Sequence, residues 1–244
     1  MRVLSEAAYV LHARPFRETS LIIEIFSRHY GRCGLLARGA RNPKSAKRAL
    51  IMPFQPLLLN WQGKGDLPLL TGIEATGAAR DLKFDQRFAA YYINELLLKL
   101  LHRHDAHEEL FDYYGSILDD LYAGKPVQQA LRRFEKTILG MTGYALILDR
   151  EAETASPISR DKHYQYIAEY GPVSVADQPG AAQDRSRGCL IRGKSLLDYH
   201  LEDFRDRKTL VECRRLVRYL IEQQLSGGSL NSRRVFHQVL SSLS

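Results

Sequence analysis

The sequence predicts an α+β protein with its strands first and its helices after, and three observations carry that prediction. Apolar residues alternate at short range through the first part of the chain and recur every three to four residues from Phe84 onward. Turn residues break the early part at intervals of roughly a dozen residues. The charge divides at the same place: residues 1–80 hold 12 Lys and Arg against five Asp and Glu, and residues 81–244 hold 23 of each, so the whole net +7 lies in the first third.

Five strands can be counted before Gly77: Ala8–Ala13, Ser20–Phe26, Cys33–Arg38, Phe54–Gln62 and Leu67–Ala75. Each is rich in Val, Ile, Leu or aromatic residues. They are separated by Arg14-Pro15, Tyr30-Gly31, a long basic segment and Gly63-Lys64-Gly65-Asp66. In the second strand Leu21, Ile23 and Ile25 make one wholly apolar face, while Ile22, Glu24 and Phe26 make a partly apolar one, as in a small closed barrel. Five strands with an excursion between the third and fourth match the OB-fold over residues 1–80, with an SH3-like barrel as the competitor.

Residues 81–244 read as a mainly α-helical domain. Phe88, Tyr92, Leu96 and Leu100 form a first helical stripe; Leu110, Tyr114, Ile117 and Leu121 a second; Val127, Leu131, Phe134, Ile138 and Met141 a third. Gly124-Lys125-Pro126 and Gly140/Gly143 mark helix ends. Periodicity fades over about 149–192, where Pro157, Pro172, Pro179, Gly180 and Gly188 predict a loop-rich insertion with one short strand, His163–Ala168. Two more helices are expected at Thr209–Leu225 and Ser232–Leu240.

Composition narrows the function. No apolar run approaches the roughly 18 residues of a membrane span, and Met1–Glu6 does not lead into a signal-peptide core, so a soluble, cytoplasmic protein is expected. Cys33, Cys189 and Cys213 are widely spaced and fit neither a disulfide framework nor a zinc ribbon. There is no nucleophile elbow, Walker loop, metalloprotease helix or dinucleotide glycine motif. His102 and His104 lie two residues apart and share no helix face, and Asp149, Glu151 and Glu153 lack a second carboxylate cluster. No catalytic residue, metal or cofactor is therefore expected.

Binding features are stronger. Arg38, Arg41, Lys44, Lys47 and Arg48 place five cations in eleven residues with no acid, broken by Gly39, Asn42 and Pro43, which reads as a mobile basic loop. A polyanion suits such a local field, because each neutralised phosphate releases condensed counterions. Single-strand readers pair cations with aromatic platforms. Arg14 and Tyr30, the latter at a turn, join the DNA-binding candidates, although most of the barrel aromatics Tyr9, Phe16, Tyr30, Phe54 and Trp61 belong to a core. On the third helix Arg132, Lys136 and Leu139 share one flank, with Arg133 on the other; this reads either as a cationic edge beside an exposed leucine or as a solvent-facing edge with Lys136 paired to an acid. Arg214, Arg215, Arg218 and Arg233 form a further basic surface that an anion would complement.

Several segments together resemble the RecO family of bacterial recombination mediators. They are Tyr9-Val-Leu-His-Ala-Arg14-Pro-Phe-Arg-Glu18-Thr-Ser20-Leu, Leu36-Ala-Arg38-Gly39-Ala-Arg41, Pro53-Phe-Gln-Pro56-Leu-Leu-Leu, Tyr92-Ile-Asn94-Glu95-Leu-Leu, Leu110-Phe-Asp112-Tyr, and Ala130-Leu-Arg132-Arg133-Phe-Glu135 with Leu139-Gly140 and Gly143-Tyr144. The likeness is close over residues 7–145 and thins to Ser232-Arg233 and Phe236 beyond. It implies an OB-fold followed by a helical domain. It also implies a non-enzymatic protein that binds single- and double-stranded DNA, anneals strands, and with RecR helps RecA replace the single-stranded-DNA-binding protein SSB, in the bacterial cytoplasm at the nucleoid. The resemblance places a dock for the acidic, apolar SSB tail at Arg132 and its surroundings. Some members carry a four-cysteine zinc module; here Cys189 stands alone, so no structural zinc is expected. Two other function classes stay open on the residues alone, a basic OB-fold RNA- or ribosome-binding factor and a nuclease with an unrecognised site.

Overall fold

The structure is a computed structural model that describes residues 1–77, 80–175, 188–225 and Leu230. It divides into two compact units, Met1–Val127 with Leu230, and Gln128–Ser229.

In the first unit, five strands form a closed barrel: β1 (Arg2–Phe16), β2 (Ser20–Ser27), β3 (Gly31–Ala37), β4 (Leu57–Gln62) and β5 (Leu69–Ala75). The order around the barrel is β1-β2-β3-β5-β4, closed by antiparallel β1–β4 pairing and a single parallel contact, Leu36 with Leu69. This is the five-stranded OB arrangement expected from the alternation. All five strands lie where the sequence places them, but β1 is much longer than Ala8–Ala13. Register shifts at Val3/Glu6 and Val10/His12 bend it so that one strand pairs with both neighbours, and such bulges break the strict alternation that marks a strand in sequence. Val10, Ile23, Ile25, Leu35, Leu57, Leu59, Trp61 and Leu70 fill the interior.

Two helices complete this unit, α2 (Phe84–Leu100) and α3 (Glu108–Tyr122). Their inner faces meet the barrel through aromatic contacts: Tyr9 lies 5.3 Å from Phe111 and 4.9 Å from Tyr114, and Phe26 lies 5.5 Å from Phe111. Buried Asn94 donates to the Leu11 carbonyl at 3.0 Å and accepts from the Tyr114 hydroxyl at 2.7 Å, so the polar groups enclosed there are satisfied. The turn after α2 seats on the β2–β3 hairpin. A Cβ on Gly31, at φ +62°, would lie 1.9 Å from the Asp105 carbonyl oxygen, so this approach requires glycine.

The second unit holds α4 (Val127–Met141), a three-stranded antiparallel sheet and two further helices. The sheet, ordered β7-β6-β8, consists of β6 (His163–Ile167), β7 (Gly171–Ser174) and β8 (Cys189–Arg192); the helices are α5 (Gly193–His200) and α6 (Arg207–Gln224). This corrects the loop-rich reading of 149–192, within which β7 and β8 were not expected; α5, just beyond it, was not expected either. Strands of four residues complete only two alternations, too few for a period to stand out. What holds them is burial of Tyr164 and Tyr166, each of whose hydroxyl oxygens accepts a backbone N–H, from Ser159 and Ile147 respectively. Cys189 and Cys213 are buried free thiols in this unit. The helix expected at Ser232–Leu240 lies outside the described residues. Among those described, no helix is long and apolar enough to cross a membrane.

Candidate nucleic-acid interface

The basic segment between β3 and β4 is built on two buried anchors. Ala40 and Ile51 both enter the barrel core, and the chain between them is thrown outward. Gly39, Asn42 and Pro43 lie in its turns, as a loop reading expects, but its end is helical. Backbone bonds from Asn42 to Gly39, Ser45 to Asn42 and Arg48 to Ser45 wind it into successive turns that end in the short helix α1 (Ala46–Leu50), which buries no residue. Arg41 and Lys47 are partly engaged: Arg41 donates to the Arg17 carbonyl at 2.7 Å and Lys47 to the Leu70 carbonyl at 3.3 Å. Arg38, Lys44 and Arg48 are exposed, and their side chains have no hydrogen-bonding or ionic partner among the described residues. Arg14 is exposed on β1. The segment thus presents five cations with no acid of its own to screen them.

Tyr30 does not stand beside them as a flat platform. It is half-buried against the barrel core, edge to face with Trp61 at 5.4 Å and 78°. Together they line a cavity of about 260 Å³ with Cys33 and His104. Burial pushes the Cys33 thiol up to about 11, which makes it a poor nucleophile at neutral pH. His104 Nδ1 lies 3.7 Å from Cys33 Sγ and His107 Nε2 lies 3.1 Å from an Asp105 oxygen; among the described residues, no three His, Cys, Asp or Glu side chains gather as a metal site would need.

An aromatic stripe on the same unit escaped the sequence reading. Phe84 and Tyr91 are 50% and 45% exposed; Phe84 stacks edge-on to Phe88 at 4.7 Å, and Tyr91 to Phe54 at 4.9 Å. The available signal was the recurrence of aromatics at 84, 88 and 91, a helical i, i+4, i+7 pattern of which only Phe88 also belongs to the stripe that continues through Tyr92, Leu96 and Leu100.

In the second unit the cations of α4 behave differently. Arg132 is 3% exposed, and its Nε lies 2.6 Å from Oε2 of Glu135, which is fully buried. Leu139 is 1% exposed, so the exposed leucine expected on this flank is a core residue. Lys136 is taken up by the end of α5, donating to the His200 carbonyl at 2.9 Å and to Glu202 at 3.1 Å, where a cation complements the helix C-terminus. Arg133 pairs with Glu202 at 3.3 Å. The helical wheel set Arg133 on the opposite flank from Lys136, yet the two share Glu202, and it could not show the acids that meet these cations. Leu139 forms part of the wall of a cavity of about 420 Å³ with Tyr144, Ile147, Tyr166, Tyr170 and Leu220. On α6, Arg214 is exposed with no side-chain partner among the described residues, Arg215 donates to the Leu190 carbonyl, and Arg218 pairs with Glu222 at 2.8 Å. Arg233 lies outside the described residues.

Comparison with known proteins agrees with this architecture. Residues 1–79 match the family described as recombination protein O N terminal, and residues 83–234 the one described as recombination protein O C terminal. A DNA repair protein RecO from Dechloromonas aromatica is 46% identical over 241 residues, covering 98% of this chain and 97% of that protein. One from an Azoarcus species is 41% identical over 239 residues, covering 98% and 97%. Another, from Nitrosococcus oceani, is 41% identical over 239 residues, covering 98% and 95%. With both family regions matched in order along nearly the whole chain, the protein belongs to the RecO family.

Proposed function

We propose that this protein serves DNA repair and recombination as a non-enzymatic mediator: it binds and anneals single-stranded DNA and, with RecR, helps load RecA onto strands coated by SSB. The observation that supports this best is the raised basic segment, in which Arg38, Lys44 and Arg48 stand exposed without partners among the described residues. Side chains so placed meet phosphates without first breaking an internal ion pair, and binding through them needs no covalent step. Annealing follows from screening and concentration: two strands held on basic surfaces repel less and meet more often. Arg14 extends this surface, and Arg214 and Arg215 offer anions a further one. The SSB tail docks at α4, where the cavity bounded by Leu139 takes its apolar end and Lys136, one turn earlier, meets its carboxylate. Arg132 supports that dock from beneath through Glu135, and Arg133 shares Glu202 with Lys136.

The deciding experiment is a titration of labelled single-stranded DNA, with and without SSB, over a range of salt and in the presence of structured RNA as competitor. Expected are a steep salt dependence, retention of affinity for SSB-coated strands, and intact DNA after incubation with Mg²⁺ or Mn²⁺. Preference for structured RNA would instead support the RNA-binding alternative, since only RNA offers 2′-hydroxyls. Cleavage of the label would overturn the non-enzymatic reading.

A further inference from the structure

The stripe beginning at Phe84 combines exposure, strain and position in a way that packing alone does not require. Phe84 and Tyr91 are two turns apart on α2, about 10 Å along the helix axis, and keep half their surface in water. Met52, 54% exposed, follows α1 directly and stands four residues from Arg48. Two residues further along the chain is Phe54, whose backbone sits at φ +70°, a left-handed conformation that a bulky residue rarely adopts. The strained turn is held by the Tyr122 hydroxyl, which donates to the Phe54 carbonyl at 3.2 Å, and it turns the Phe54 ring edge to face with Tyr91. Beyond Tyr122 lies a further cation: the Arg80 guanidinium stacks 4.0 Å over the Tyr122 ring while pairing with Asp119. Arg87, on the same turn of α2 as Phe84, pairs with Asp81.

An apolar stripe whose first residue lies four residues along the chain from a cation unpartnered among the described residues suits a ligand that is anionic along one edge and flat and apolar along the other. We propose that Met52, Tyr91 and Phe84 are a stacking platform for the bases of single-stranded DNA whose phosphates lie on the basic segment. The proposal rests on the DNA-binding reading above and adds to it the element that tells single strands from duplex. Paired bases are stacked on each other and cannot lie on aromatic rings, whereas unpaired bases can, and stacking tolerates any sequence. The platform thus favours the unpaired form, while the basic segment holds phosphates of either.

The test compares wild type with Tyr91→Ala and Phe84→Ala on three probes of equal length: a deoxythymidine oligonucleotide, the same backbone with abasic sites, and duplex DNA. Each substitution should weaken oligothymidine binding roughly tenfold, within the range found for removal of one stacking ring, and leave the salt slope and the other two affinities within twofold. Tyr91→Trp should retain affinity and have its fluorescence quenched by oligothymidine but not by the abasic strand. That arm stands even where Tyr91→Ala loosens Phe54 and lowers the melting temperature. Unchanged oligothymidine affinity in both alanine variants, with no quenching of the new tryptophan, would overturn the platform and leave the stripe to a protein partner. Equal losses on the abasic strand would overturn it too, because the rings would then be acting on the backbone path. A wild-type protein that binds none of the probes refutes the DNA-binding reading itself, a different failure from the other two.

Discussion

The basic segment between β3 and β4 and the flank of α4 look alike in sequence, each a short run of Arg and Lys on an element that follows apolar text, yet the fold uses them in opposite ways. On the barrel, anchors at Ala40 and Ile51 push the intervening cations outward, and three of the five have no side-chain partner among the described residues. On α4, every cation has an assigned place: Arg132 on Glu135, Arg133 on Glu202, and Lys136 on Glu202 and the end of α5. The distinction was present in composition. The first third of the chain is short of acids, so its cations cannot all be paired locally, whereas the rest is balanced at 23 against 23. A local charge surplus therefore says more about access to a polyanion than a cationic helix face does.

The largest effect that would break this comparison is at Arg132. Removing one member of a buried ion pair leaves its partner charged and desolvated, at a cost of about 3–5 kcal/mol. Arg132→Ala should lower the stability of the second unit by that order in urea unfolding, and Arg132→Met combined with Glu135→Leu should restore most of it. Were Arg132→Ala to unfold at the wild-type midpoint, the pair would be solvated in solution and the guanidinium free to meet a ligand carboxylate directly.

A smaller effect sharpens the comparison inside the basic segment itself. Arg38, Lys44 and Arg48 are unpartnered among the described residues, while Arg41 and Lys47 each spend a donor on a backbone carbonyl. Replacing the first three by Ala should flatten the log–log salt dependence of single-strand binding by about 2, at about 0.7 for each lost phosphate contact, and leave the melting temperature unchanged. Replacing Arg41 and Lys47 should reduce the slope less and cost about 1 kcal/mol of stability for the lost bonds. Equal slopes in the two variants would show that engagement in the free protein does not decide which cations reach the DNA.

Much of this was legible beforehand, and the gaps have physical causes. The barrel was readable because its five strands are long enough to alternate, and α4 was readable because its stripe from Val127 to Met141 runs unbroken over four turns, between the expected stops at Gly124-Lys125-Pro126 and Gly140/Gly143. The sheet β7-β6-β8 was not, since its short strands are specified by where two tyrosines and a cysteine can be buried rather than by a period. At the candidate site, the cations were legible as a local surplus, but the partners of Arg132 and Lys136 were not. Glu135 lies on the same helix within reach, yet its full burial depends on packing that no helical wheel contains. Glu202 lies more than 60 residues away from Lys136 in sequence. The aromatic recurrence on α2 was legible, but its contact with the strand segment was not, because Phe54 meets Tyr91 through a backbone conformation that its residue type disfavours.

Between the fully paired and the unpaired cations stands His29, which belongs to the paired group only while it is protonated. It is 55% exposed, with Nδ1 3.0 Å from Oε2 of the buried Glu6 on β1 and Nε2 3.8 Å from Glu108 on α3; Arg28 opposes it while itself pairing with Glu108 and Asp112. The hydrogen bond to Glu6, its charge and the weaker pull of Glu108 together raise the histidine above its ordinary value of 6.5, against the opposing influences of desolvation and, less, of Arg28. A base whose pKa is higher folded than unfolded stabilises the fold while it is protonated. The contribution is therefore complete below the unfolded value and is lost as pH rises through the folded one. His29→Gln keeps a donor for Glu6 but no titrating charge. Its melting temperature should fall below that of wild type near pH 6 and approach it at about pH 9, with an NMR titration of the His29 ring in wild type giving a midpoint above 6.5. The effect should be the smallest of the three, because water screens a pair this exposed. A gap between the two proteins that is constant across pH would assign His29 a purely geometric role at the start of the β2–β3 turn.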